Sequence, residues 1–260
     1  ADYGRSQRRR RVFFFVFRND TKYAKSLDSK YENEDIVFEE HKYDDYLFQT
    51  GLFATQFPVK QTPVKNRQVF YELEDDIVAV SDNFTGTVWN TGVMRHGKYY
   101  SIETAANFDG NPITLGEILQ DETEVPDKYF LTDKAKLEKF QYLRGPKKLE
   151  RTSADGHTYI YSEGGMSPYD DLNLPGRTML TSEGTVNRST HFLFVNNKYR
   201  LLTPIEAERL QDFPDDWTAY KKLEDGTVVE VSDKMRMFFM GNALVTEIVR
   251  KIGDFIKTID

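Results

Sequence analysis

The sequence predicts an α/β protein in which a regular scaffold element at each end brackets a long, loop-rich, mostly β middle. Three observations carry this. Val12–Phe17 is an unbroken run of branched and aromatic residues, closed off by Arg11 on one side and Arg18-Asn19-Asp20 on the other. Thr203-Pro204-Ile205-Glu206 has the form of a helix start, and Leu244 to Ile259 repeats apolar residues at helical spacing. Between the two ends, from Asp20 to about Asn197, no period persists and turn residues recur.

Each element has its own reason. A six-residue apolar run without polar alternation has no solvent side, so Val12–Phe17 reads as a strand buried on both faces of an α/β sheet. In the middle, Asp76–Val80 and Phe192–Val195 are short strand-like runs, and Asp109-Gly110-Asn111-Pro112 and Asn173–Gly176 are turns. Thr114–Leu119 and Asp133–Leu143 read as short helices. At Thr203 the hydroxyl can accept from the Glu206 amide while the Glu206 carboxylate reaches back to the Thr203 amide, and Pro204 suits the first helical position. That helix should run to about Gln211 and stop at Phe213-Pro214. Asn242, after Gly241, reads as the N-cap of the last helix, with Leu244, Val245, Ile248, Val249 and Ile252 along one face. The expected organisation is residues 1–19 as a scaffold strand, 20–198 as an insert, and 199–260 as helices returning to the scaffold.

Composition removes several classes of function. With 39% hydrophobic and 30% charged residues in 260, the chain is a folded, soluble one. Its longest apolar run is far short of the ~20 residues a membrane span needs, so no membrane partner is expected. The absence of Cys excludes disulfides, thiolate metal sites and a cysteine nucleophile within these residues. His41, His96, His157 and His191 lie far apart, and no metal site is expected. The net charge of −7 argues only weakly against a polyanion partner, because the charge is segregated. Residues 134–151 hold seven Lys and Arg against Glu138 and Glu150, and residues 1–18 hold six Arg against Asp2. Residues 28–46 hold eight acids against two Lys. Such runs can build a basic face on an acidic protein, although a solvated surface explains any single one. The chain opens at Ala1 with neither an initiator Met nor a leader of charged and then apolar residues. It is expected to be a piece whose upstream sequence lies elsewhere or on another chain.

Three segments then line up in order. Asp2-Tyr3-Gly4-Arg5-Ser6-Gln7-Arg8-Arg9-Arg10-Arg11-Val12-Phe13 resembles the DYGxPQxRxRxF motif of the DNA (cytosine-5) methyltransferases, with Ser6 in place of the usual Pro. Arg200 to Pro214 is similar to their RxLTPxExxRLQxFP motif, and Gly241-Asn242-Ala243-Leu244 to their GN(S/A)V motif. Between the first two motifs that family carries a variable target-recognition domain. The resemblance implies the C-terminal part of a Rossmann-like, S-adenosylmethionine-dependent methyltransferase fold carrying that domain. It also implies double-stranded DNA as partner and a cytoplasmic restriction-modification setting. The family's glycine loop, Pro-Cys loop and Glu-Asn-Val acid precede the first motif and have no counterpart here. The chain is therefore expected to need an N-terminal catalytic fragment or subunit carrying the Pro-Cys loop, and to be inactive alone. A non-catalytic, sequence-specific DNA-binding subunit is the alternative.

Roles follow from residue chemistry and from the resemblance. Alternation before a strand sends Arg9 and Arg11 to one side, Arg8 and Arg10 to the other. A guanidinium stays charged and forks onto a carbonyl or phosphate oxygen, and the resemblance puts Arg11, with Arg9 beside it, against a flipped cytosine as catalytic residues. It also places Asn242, Ala243 and Leu244 near S-adenosylmethionine, and Thr178 against the DNA backbone. Arg188 and Asn187 are of the types that read guanine and adenine edges, in a loop made close-fitting by Gly184. Lys147, Lys148 and Arg151 are candidates for phosphate contacts, which position without specifying. For the loop residues an ordinary turn is the competing reading, and for Asn242 a helix cap.

Overall fold

In the computed structural model, which describes residues 1–31, 42–64 and 67–259, the chain falls into two units. Tyr3–Arg11 and Asn111–Glu247 form one, and Val12–Gly110 with Ile248–Asp260 forms the other. The segment 20–198, expected as one insert, is thus divided between them. His41 and most of the acidic run 28–46 lie outside the described residues.

The unit around Val12–Gly110 runs α1 (Lys22–Tyr31), α2 (Leu52–Gln56), β1 (Val59–Gln61), β2 (Gln68–Glu72), α3 (Ile77–Asn83), β3 (Thr91–Arg95), β4 (Lys98–Ile102) and β5 (Thr104–Ala106). Strands β2, β4 and β3 make an antiparallel sheet with β4 central, and β1 pairs with β5. Because side chains alternate, one sheet face carries Phe70, Tyr100, Ile102 and Val93, which pack with Tyr31, Tyr43 and Leu47 into a core. Asp76–Val80, expected as a strand, is helical: Asp76 accepts from the Val78 amide at 3.0 Å and caps α3. Satisfying an orphan amide at a helix start outweighs the strand preference of the branched residues behind it.

Val12–Phe17 departs furthest from expectation. It belongs to no strand pairing among the described residues. Val12, Phe14 and Val16 are 76%, 86% and 86% exposed, whereas Phe15, Phe17 and Tyr23 form a ring cluster. A strand buried on both faces needs a neighbour along each edge, and these residues supply none.

The second unit is built on α4 (Lys134–Arg144), β6 (Lys147–Thr152), β7 (Thr158–Glu163), β8 (Leu193–Val195), β9 (Lys198–Arg200), α5 (Pro204–Leu210), β10 (Tyr220–Lys222), β11 (Val228–Glu230) and α6 (Asp233–Asn242); α7 (Thr246–Ile256) falls mostly in the unit around Val12–Gly110. The strands pair as three antiparallel hairpins, β6–β7, β8–β9 and β10–β11. The helix expected over Asp133–Leu143 forms as α4, with Asp133 as its N-cap, and Thr114–Leu119 shortens to one 3₁₀ turn at Gly116–Ile118. The main core joins Leu115, Met179, Leu193, Leu202, Leu210 and Met240, all nearly inaccessible.

The α5 helix shows why its sequence was readable. Both halves of the capping box form, with Thr203 Oγ1 accepting from Glu206 N at 3.2 Å and Glu206 Oε2 accepting from Thr203 N at 2.9 Å. Glu206 is fully buried, and its charge is met by Arg200 at 2.6 and 2.8 Å. Glu208, also buried, pairs with Arg236 of α6 at 3.0 Å and accepts from the amides of Asp216 and Thr218. These paired carboxylates fix α5, α6 and the turn after α5 to one another. The last helix starts at Thr246 and not at Asn242. Asn242 is the final residue of α6, a helix the sequence reading passed over, and its side chain donates back to Phe238 O at 3.0 Å.

Candidate functional site

The first motif segment lies along the segment that follows the turn at Gly176. Arg8 N donates to Gly176 O at 2.7 Å and Gly176 N to Ser6 O at 2.8 Å, and Gln7 and Gly176 bridge in parallel. Ser6, without the ring of a Pro, turns its hydroxyl to Leu210 O at 3.2 Å. Arg5 pairs with Asp212 at 2.8 Å, and Gln211 Nε2 donates to Met240 O at 2.7 Å. Residues of the first two motifs, and Met240 just before the third, are thereby brought together within one unit.

The four consecutive arginines do not behave alike. Arg9 is half-buried, and its guanidinium donates to Met179 O at 3.0 Å and Gly241 O at 2.8 Å. Burial, and then the charge of Arg11, lowers its pKa. Arg8, Arg10 and Arg11 are exposed, and among the described residues the Arg11 guanidinium donates only to its neighbour Arg10 O, at 2.8 Å. The expected alternation, with Arg9 and Arg11 on one side, does not hold: Arg9 is half-buried while Arg11 is exposed, because residues 8–17 form no strand that would impose it.

Gly241 explains the third motif's glycine. A methyl group there would lie 2.5 Å from the carbonyl carbon and oxygen of Leu180, so the end of α6 and the start of the 180–191 loop meet backbone to backbone. Just beyond, Asn242 and Leu244 are exposed and Ala243 packs against the core.

The expected DNA-reading side chains have their polar groups in use. Asn187 Oδ1 accepts from Ser189 N and Thr190 N at 2.9 and 3.0 Å, closing its own turn. Arg188 donates to Leu143 O at 2.7 Å, to Gly145 O and to Gly164 O, and pairs with Glu163 at 3.2 Å. Lys147 is bound to the same Glu163 at 3.0 Å and to Leu143 O at 2.8 Å. The pull of Lys147 on Glu163, aided by Arg188, lowers the pKa of that carboxyl. Thr178 gives its hydroxyl to Arg8 O at 2.8 Å. Lys148 and Arg151 are exposed. Polar loop side chains first satisfy the backbone groups that a turn leaves without partners, and these do so here.

What the sequence reading missed is the ribbon that this clamp holds. Strands β6 and β7 pair over six residues each, from Lys147↔Glu163 to Thr152↔Thr158, and nearly all their side chains are exposed. Arg151 lies 3.9 Å over the Tyr161 ring, and Ile160 is 70% exposed. The signal was present: Asp155-Gly156 between two strand-like runs marks a hairpin, and Gly156 takes φ +84°. Arg188 and Lys147 fasten the base of this ribbon to the 180–191 loop and α4.

Among the described residues no cluster of His, Asp and Glu could hold a metal ion, and no helix is long and apolar enough to cross a membrane. The chain is 46% identical over 260 residues to the type II methyltransferase M.Sau3AI of Staphylococcus aureus; the match covers 100% of this chain and 57% of that protein. The chain therefore spans little more than half the length of this relative. The family model described as C-5 cytosine-specific DNA methylase matches residues 1–258, which takes in all three motif segments and both units. The segments that meet around Arg9, Gly176 and Gly241 thus all lie within the match, and the chain belongs to the C-5 cytosine-specific DNA methylases.

Proposed function

We propose that this chain supplies the target-recognition part and one side of the active site of a DNA (cytosine-5) methyltransferase. It would work with an N-terminal catalytic portion or partner subunit, in the cytoplasm, on a cytosine flipped out of a specific duplex site. The carrying observation is a family match over residues 1–258 in a sequence with no Cys. The family's chemistry needs a thiolate at cytosine C6, and this chain cannot provide one. S-adenosylmethionine supplies the methyl group when bound. Asn242, Ala243 and Leu244 would face it, and the exposure of Asn242 and Leu244 at the end of α6 suits one wall of a pocket. Arg11 would hold the extruded base, since its guanidinium is exposed and has no acidic partner among the described residues.

Duplex DNA would run along the β6–β7 ribbon and the 180–191 loop. A two-stranded ribbon fits the major groove, and the stretch from Lys134 to Arg151 is strongly basic. Lys148 and Arg151 would contact phosphates, whereas Lys147, Asn187, Arg188 and Thr178 hold the reading elements in place. In the intact methyltransferase, Lys148→Ala with Arg151→Ala should weaken binding to all sequences alike and flatten the log–log salt slope by about 2. A change confined to one base pair of the site would make these side chains base readers instead.

Transfer of labelled methyl groups to duplex DNA tests the main reading. The chain alone should transfer none, and addition of the Cys-bearing portion should start the reaction. Transfer by the chain alone would remove the need for a partner. Specific DNA binding without transfer, with the catalytic portion present, would make this a specificity subunit.

A further inference from the structure

Arg9 joins two carbonyls that are 170 and 232 residues away along the chain. Each marks the end of a fixed segment. Met179 is buried, and the loop 180–191 departs directly after it; Gly241 lies in the last turn of α6, immediately before Asn242, Ala243 and Leu244. The two segments touch at backbone contact, because any side chain at Gly241 would strike the Leu180 carbonyl. A planar guanidinium carries several donors in a fixed fork and can satisfy two carbonyl oxygens at once, tying together the segments that bear them. Arg9 does so from a half-buried position where a charge-assisted bond is strong.

We propose that Arg9 is a positioning residue that registers the start of the 180–191 loop against the turn at Asn242–Leu244. On the reading of the function above, on which this rests, that couples the DNA-facing loop to the wall facing the cofactor. It leaves Arg11, two residues on and exposed, to hold the base. The two arginines of one motif then do different work: one builds the site and the other touches the substrate.

The test uses the intact methyltransferase and, separately, this chain. Arg9→Ala should raise KM for S-adenosylmethionine and lower kcat, each by about tenfold, while DNA affinity stays within about twofold. Millimolar guanidinium should restore part of both, and Arg9→Lys, a point charge facing two acceptors, should restore less of kcat than of stability. Adding Gly241→Ala to Arg9→Ala should cost much less than the two single effects multiplied, because both break one joint. On this chain, amide hydrogen exchange at residues 180–184 and 242–245 should accelerate together in Arg9→Ala, with α4 and β9 unchanged. Exchange that rises everywhere, or at neither segment, would overturn the proposal. So would a kcat loss with unchanged KM and no guanidinium rescue, which would put Arg9 on the base. A parent enzyme that never methylates DNA sinks the functional reading, and the exchange result then still decides the role of Arg9 in the fold.

Discussion

Asp170→Ala is expected to destabilise the unit that carries the motifs by about 3–5 kcal/mol, enough to unfold it at moderate temperature. Asp170 sits between two arginines. Arg144, 1% exposed, donates to its Oδ2 at 2.7 Å, and Arg177 donates to Oδ1 at 2.5 Å. The same carboxylate accepts from Phe192 N at 2.8 Å, which seats Phe192 against Phe140 in a stacked pair with centroids 4.4 Å apart. Removing it strands a buried guanidinium that has only the Ser167 and Thr190 carbonyls left. Burial pushes the Asp170 carboxyl up, but the bond and charge of Arg177 and the charges of His191 and Arg144 more than reverse this and hold it at about 2. The folded pKa thus lies below the unfolded one. The stability this group contributes is present above the ordinary carboxylate range near 4 and is lost as pH falls through about 2; by linkage it amounts to about 2–3 kcal/mol. Urea midpoints from pH 7 to pH 2 measure it. Asp170→Ala should flatten the parent's loss between pH 4 and pH 2. An Asp170→Ala chain with an unchanged midpoint at pH 7 would mean that the arginines find other partners.

The parts of this unit that could be read in the sequence are those fixed by local chemistry. The Thr203–Glu206 capping box depends on residues within one helical turn and formed as expected, and the short helix expected from Asp133 formed with that residue as its cap. Asp76 was equally local, but its branched followers masked a cap of the same kind. What stayed hidden needs long-range knowledge. Nothing in Gly241-Asn242 says that the glycine lies on Leu180, or that Asn242 closes the preceding helix and does not open the following one. Arg188 and Asn187 are of the right types to read bases, but residue type does not disclose that Leu143, Gly164 and Thr190 claim their polar groups first. Val12–Phe17 shows a third limit. Its composition reports a need for burial, whereas burial itself depends on neighbouring strands.

Arg11→Ala, in the intact methyltransferase, is expected to raise the barrier to methyl transfer by about 2–4 kcal/mol, a loss of roughly 30- to 1000-fold in rate. The reason is the contrast within one motif. Arg9 has its guanidinium committed to Met179 and Gly241, so its loss acts through the fold; Arg11 is exposed, and among the described residues only one of its donors is engaged, on Arg10 O. A guanidinium set against an extruded cytosine stabilises the charge that builds on the ring once C6 is attacked, and that benefit is larger in the transition state than in the bound complex. DNA affinity should therefore change little, since phosphate contacts elsewhere dominate it. Arg8 and Arg10, exposed on the same segment, are the controls: replacing either with Ala should at most lower the salt slope by about 1. Single-turnover methylation separates the cases, because it isolates chemistry from binding and release. An Arg11→Ala rate within twofold of the parent would remove this residue from the base-holding role. A matching loss in Arg8→Ala or Arg10→Ala would assign the effect to the summed charge of the segment. A loss confined to Arg11, with affinity and salt slope retained, is what a side chain in contact with the flipped base requires.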